Sequence, residues 1–189
     1  MALPNARALY EGLCGAIRSN HDRWEGNWTP TVWDYLTEVG KPDGLLCKMN
    51  PTETTRQNSE WLIDFLLTRG EVGTEGFKSI ELACEYEASS SISEIRYDFQ
   101  KLLVVKSPLK IFIGFALVAP GSADMRLAAI REDVDRCRLS PGEELLALII
   151  QPTGQSRERT TGTFAVAQGM VFGGVNHGPL GPTELAHAQ

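Results

Sequence analysis

Ser79-Ile80-Glu81-Leu82-Ala83-Cys84-Glu85-Tyr86-Glu87-Ala88 decides how the rest of the chain is read. If it is extended, alternation puts Glu81, Glu85 and Glu87 on one face of an otherwise apolar strand. A buried strand excludes charge, because desolvating an unpaired carboxylate costs several kcal/mol. The cluster is therefore either a wet surface or a cation site.

Working outward, Glu60 to Thr68 reads as a preceding strand, with Trp61, Ile63, Phe65 and Leu67 on one face and Leu62, Leu66 and Asp64 on the other. Gly70, Gly73 and Gly76 loosen the connection, so the two strands form a long antiparallel hairpin. Leu45 to Met49 is a short strand before them, and Asn50 to Asn58 a polar loop. Upstream, residues 4–19 carry Leu9, Leu13, Ala16 and Ile17 at helical spacing. After a loop at 20–29, a second helix starts at Thr29 or Thr31 with Pro30 in its first turn, runs to about Val39 and stops at Gly40. Downstream, Ser91-Ile92-Ser93-Glu94 matches a capping box, and Ile92, Ile95, Phe99, Leu102 and Leu103 form a stripe closed by Pro108. Leu109 to Leu117 is apolar throughout, as buried parallel strands are. Leu127, Ile130, Val134 and Cys137 mark another helix, Leu145 to Ile150 another buried strand, and Thr163 to Phe172 a last strand near the sheet edge. From Gly173 onward Gly, Pro and His dominate, which predicts a frayed, flexible tail over 173–189.

From the second helix the order is helix, strand, strand, strand, helix, strand, helix, strand, strand. That is a mixed α/β sheet, a meander followed by crossovers, in one domain over residues 1–172. A chain of 189 residues that is 42% hydrophobic and 22% charged has enough apolar surface for one proper core. No apolar run reaches the roughly 18 residues of a membrane span. The N-terminus lacks a basic region followed by an apolar core, so no signal peptide is expected. Cys14, Cys47, Cys84 and Cys137 form no C-x-x-C, and free thiols in a reducing, cytoplasmic setting are expected. His21, His177 and His187 are too scattered for a structural zinc site. The net charge of −6 argues against a non-specific DNA coat, yet leaves room for an enzyme with a basic rim and a carboxylate centre.

Strand geometry separates the glutamates. Glu85 and Glu87 lie about 6.6 Å apart on one face, while Glu81 is about 13 Å from Glu85 and belongs to the surface or rim. Asp64 offers an acid from the neighbouring strand if the hairpin register brings it opposite Glu85. A divalent ion would remove the charge penalty of such an arrangement and lower the pKa of a bound water.

Asp64 in Glu60-Trp61-Leu62-Ile63-Asp64-Phe65, then Glu85-Tyr86-Glu87, then the helix with Asp98-Phe99-Gln100-Lys101-Leu102-Leu103, resembles the PD-(D/E)XK, or restriction-endonuclease-like, superfamily in an E-x-E form. The resemblance covers about residues 30–117 and implies an α-β-β-β-α-β core, with the residues beyond as a C-terminal α/β extension. It implies Mg²⁺ (or Mn²⁺) on Asp64 and Glu85 and hydrolysis of phosphodiester bonds in DNA. Glu87 stands where the family usually has lysine; it would serve as base or second ligand, and Lys101 on the following helix is the candidate replacement. On the apolar stripe as drawn, however, Lys101 points away from the core, and Gln100 on the flank is the alternative contact for a phosphate. Ile63 stands where the signature has proline. Glu38, Asp34 and Glu11 are rival candidates for a further helix acid. A homodimer would suit double-strand cleavage.

Other readings stand beside this one. A domain that keeps the fold without the chemistry would act as a binding or scaffold module, as Glu87 and the acidic balance suggest. An unrelated α/β protein would simply solvate its acidic face. Asp64 could bond to Arg69 or Arg96. Trp24, Trp28 and Trp33 read as core packing before base stacking, Arg157, Arg159, Thr160 and Thr161 as a turn before a phosphate contact, and Ser89-Ser90-Ser91 as a turn and cap.

Overall fold

Two helices, an antiparallel meander and two crossovers account for most of the structure, a computed structural model that describes residues 3–20, 28–49, 63–89, 91–152, 162–174 and 177–188. Asn5 opens α1 (Ala6–Ser19), its side chain accepting from the Ala8 N–H at 2.9 Å, and Leu9, Leu13 and Ile17 are buried along one face. Pro30 sits in the first turn of α2 (Thr29–Gly40). Gly40 ends that helix against the sheet, where a Cβ would lie 2.9 Å from Leu67 Cδ2. The strands β1 (Leu46–Met49), β2 (Phe65–Arg69) and β3 (Ser79–Glu87) pair antiparallel in sequence order. At the β2–β3 turn, Gly70 has φ +84° and a Cβ there would strike the Gly76 carbonyl, so only glycine fits.

The helix α3 (Ile92–Val104) then carries the chain to β4 (Leu109–Phe115), parallel to β3, and α4 (Ser122–Cys137) carries it to β5 (Glu144–Pro152), parallel to β4. The strands β6 (Gly162–Phe172) and β7 (Gly178–Ala188) close the sheet antiparallel, in spatial order β1 to β7. One core lies between the sheet and α1 and α2, built on Leu9, Leu13, Leu36, Phe65, Leu82 and Ile111. The other lies under α3 and α4, built on Leu66, Ala83, Phe99, Phe112, Ile130 and Ile149. Both faces of β4 and β5 are covered, which is why their sequences are apolar throughout. Glu144 and Gln151 stand at the half-buried ends of β5, and the one buried charged residue of the two strands is Lys110, bonded to Glu143 at 2.9 Å.

The structure departs from the sequence reading in three places. First, β2 begins at Phe65; Ile63 and Asp64 form a bend, and Glu60, Trp61 and Leu62 lie outside the described residues. The bend breaks the alternation, so Ile63 joins the core under α3 while Phe65 and Leu67 join the other. Second, α3 starts at Ile92 as the capping box predicts, but Ser91 makes no side-chain cap; its hydroxyl meets Ser93 Oγ at 2.8 Å. Third, the expected loose tail is β7, and β6 is therefore interior.

Pro179 and Pro182 in β7 suit an outer strand, since their missing N–H groups spoil further pairing. The strand is tied to α1: Tyr10 Oη lies 2.8 Å from the Gly181 carbonyl, 3.1 Å from Thr183 Oγ1 and 3.2 Å from the Ala167 carbonyl, and Arg18 donates to the Glu184 carbonyl. Burial pushes the Tyr10 phenol up to about 12. Tyr10→Phe is expected to lower stability by about 1–2 kcal/mol, since it leaves buried acceptors unmet. Urea denaturation should show a lower midpoint with an unchanged slope.

No helix among the described residues is long and apolar enough to cross a membrane. All four cysteines are free thiols.

Candidate active site

The pairing of β2 with β3 sets the geometry of the acids. Leu66 faces Ala83 and Phe65 faces Cys84, where the pairing ends; Asp64 sits in the bend one residue further on, beside the Glu85–Tyr86 end of β3. Asp64 Oδ2 accepts from the Tyr86 N–H at 3.0 Å, which fastens the bend before β2 to the end of β3. Behind this joint, Tyr86 points into an aromatic cluster. Trp33 meets it edge-on at 6.0 Å and stacks on Phe65 at 5.1 Å; Phe115 meets it at 5.5 Å. Alternation then turns Glu85 and Glu87 to the opposite face, the one covered by α3.

Glu85 is only 1% exposed. Its Oε2 lies 3.0 Å from Lys101 Nζ, whereas its buried Oε1 has no hydrogen-bond partner in the structure. Lys101 also binds Asp98 Oδ1 at 2.7 Å. Glu87 accepts from the Ser89 N–H, and Asp98 on α3 acts on it electrostatically. Lys101 thus bridges two carboxylates, Glu85 and Asp98, while the charge of Asp64 acts on Glu85 and that of Asp98 on Glu87.

The electrostatics follow from that arrangement. Burial, and then the Asp64 charge, push Glu85 up to about 9 against the pull of Lys101. Burial, and then Asp98, push Glu87 up to about 7. The fully buried Cys84 thiol is pushed well up by burial, then by the charges of Asp64 and Glu85. Burial disfavours the charge of Lys101, but its bonds to Asp98 and Glu85 outweigh that and raise it. Near neutral pH the cluster holds protons that a divalent cation could replace.

Lys101 lies on the flank of its helix because the buried stripe is Ile95, Phe99 and Leu102, with Ile92 41% exposed. A stripe that also counts Ile92 and Leu103 turns Lys101 away from the acids. Gln100 faces the other way and donates to Asp133 Oδ2 at 3.3 Å. Arg96 also pairs with Asp133, and Arg69 with Glu81 at 3.3 Å, so the cations proposed as partners for Asp64 are engaged elsewhere. Glu81 is at the surface, but not on the face of Glu85 and Glu87: the register shift opposite Leu67 and Thr68 breaks the alternation of β3, so Ile80 packs under α3 and Glu81 lies beside Leu45 and Leu109. Glu38 pairs with Lys41 on the exposed end of α2, and Glu11 is exposed on α1. Trp28 stacks on Phe115 at 6.2 Å in the core; Trp24, Ser90, Arg157, Arg159, Thr160 and Thr161 lie outside the described residues.

Asp98 is the site residue that sequence reasoning passed over. Its spacing of three from Lys101 placed the two on adjacent turns of one helix face, and that was the available signal. Among the described residues no group of three or more His, Cys, Asp or Glu is arranged to hold a metal ion. Mg²⁺ needs fewer, since it is commonly held by one or two carboxylates with water and substrate phosphate completing the shell. Asp64 and Glu85 offer two such carboxylates, and among the described residues the buried Glu85 Oε1 has no hydrogen-bond partner.

No family model, no curated protein and no solved structure matches this chain.

Proposed function

We propose that this protein hydrolyses phosphodiester bonds in DNA with Mg²⁺ or Mn²⁺, as a restriction-endonuclease-like nuclease of E-x-E type. The observation that carries the reading is the Glu85 side chain: buried, beside the bend that holds Asp64, bonded through one oxygen to Lys101 and unpartnered at the other. The strand order and the parallel β3–β4 pair reached through α3 also support it. When bound, the metal supplies Lewis acidity at the phosphate and an acidified water. Asp64 and Glu85 are the residues that hold it. Glu87, pushed up to about 7, is suited to accept a proton from water near neutral pH. Lys101 brings a positive charge to the phosphate from α3, in place of the missing lysine at position 87.

One observation favours a second reading. Lys101 already spans Glu85 and Asp98, and a cluster closed by its own ammonium suits a catalytically silent nuclease-like domain that binds or scaffolds. Calorimetric titration with Mg²⁺ and Mn²⁺ separates the two. The wild type is expected to bind, Asp64→Ala to bind at least about tenfold more weakly, and only the wild type to cut plasmid or single-stranded DNA. No heat in the wild type would sink the catalytic reading; binding without cleavage would favour the silent module.

A further inference from the structure

The ammonium that serves the carboxylates also faces an aromatic ring. Lys101 Nζ lies 6.0 Å from the centroid of Tyr97, one helical turn earlier on α3. Tyr97 is 68% exposed, the most exposed aromatic ring among the described residues. Exposing so large an apolar surface gains nothing for the fold. Because Lys101 is fastened to Glu85 and Asp98, a ring against its ammonium stands at the border of the acid cluster and not at an arbitrary place on the surface.

An aromatic face at the border of a phosphodiester site can stack on a nucleobase. In a duplex those faces are already covered by neighbouring bases, so only an unpaired base is open to it. The charge points the same way. Duplex binding depends on many phosphate contacts from Lys and Arg, whereas this chain has a net charge of −6 and the two cations of α3, Arg96 and Lys101, are balanced by Glu94 and Asp98 and engaged by Asp133 and Glu85. Stacking adds affinity without adding positive charge.

We infer that Tyr97 is a specificity-determining residue: its exposed ring stacks on an unpaired base beside the scissile phosphate and directs cleavage to single-stranded or frayed DNA. This rests on the nuclease reading above.

The test compares wild type, Tyr97→Ala, Tyr97→Phe and Asp64→Ala on a labelled oligothymidylate and on a duplex of equal length, with Mg²⁺ present. Tyr97→Ala is expected to lose about 5- to 100-fold in kcat/KM on the single strand and to leave the slower duplex reaction unchanged. Tyr97→Phe, which keeps the ring, should retain the wild-type preference. An abasic spacer moved along the oligonucleotide should reproduce the loss at one position in the wild type and add nothing in Tyr97→Ala. A Tyr97→Ala variant whose two substrates fall together, or do not fall, overturns the proposal while Asp64-dependent cleavage keeps the nuclease reading intact. A wild type that cuts neither substrate overturns both.

Discussion

Glu85→Gln is expected to lose Mg²⁺-dependent cleavage by at least about 10²–10³-fold while making the protein more stable at pH 8. The two effects have one cause. Burial and Asp64 push Glu85 from its ordinary 4.5 up to about 9. Below pH 4.5 the carboxyl is protonated in both the folded and the unfolded chain and the shift has no effect on stability relative to the neutral amide. Between 4.5 and 9 the unfolded chain releases a proton that the folded chain keeps, so stability falls as pH rises, by at most about 1.4 kcal/mol per pH unit. Glutamine copies the neutral acid and removes that slope. Glutamine accepts from Lys101 more weakly than the acid it replaces, so the gain at pH 8 should be about 1–3 kcal/mol, shrinking towards zero near pH 5. Thermal unfolding of wild type and variant across pH 4.5–8.5, beside a cleavage assay, reads both. A glutamate retained only for packing would give the stability gain with no loss of cleavage. A variant less stable than wild type at pH 8 would mean that the Lys101 bond outweighs burial and the Asp64 charge. Such an exchange of stability for function is common at sites whose charges are held apart from water.

The acids and the strands were legible in the sequence to different degrees, for physical reasons. Alternation alone sorts Glu85 and Glu87 from Leu82 and Cys84, because a strand leaves no choice of face. Length and apolarity identify β4 and β5, which have no exposed side to dilute the signal. The placing of Asp64 beside Glu85 was not available, since it depends on a register that shifts between Leu67 and Thr68 and on the bend at Ile63 and Asp64. The side of α3 that Lys101 occupies is hidden in the sequence because Ile92 and Leu103 both fit the apolar stripe. Ile92 stands in the first turn and is 41% exposed, so the buried face centres instead on Ile95, Phe99 and Leu102. That rotation brings Lys101 to the acids. β7 is not legible in the sequence because Gly178, Pro179, Gly181 and Pro182 have loop composition. Its order comes from pairing with β6 and from Tyr10 and Arg18 on a helix more than 150 residues earlier, contacts that no local pattern records.

Lys101→Ala should move metal affinity and cleavage in opposite directions. In the wild type the ammonium lies 3.0 Å from Glu85 Oε2 and 2.7 Å from Asp98 Oδ1, so a cation arriving at Glu85 meets a positive charge already there. Removing that charge leaves Glu85 and Asp98 without the ammonium they share, and Mg²⁺ should bind about tenfold more tightly. Cleavage should nevertheless fall by about 10²–10³-fold, because the fixed positive charge aimed at the phosphate is gone. Without metal the variant should be less stable by about 1–3 kcal/mol, the acids having lost a partly buried partner, and saturating Mg²⁺ should recover much of that. Lys101→Arg, keeping the charge with a different shape, should hold metal affinity near wild type and restore cleavage only in part. A lysine that merely neutralised the cluster would behave otherwise: once Mg²⁺ occupied the site, Lys101→Ala would cut as fast as wild type. Calorimetry and single-turnover cleavage on the same preparations therefore decide between a lysine that serves the substrate and one that serves only its neighbours.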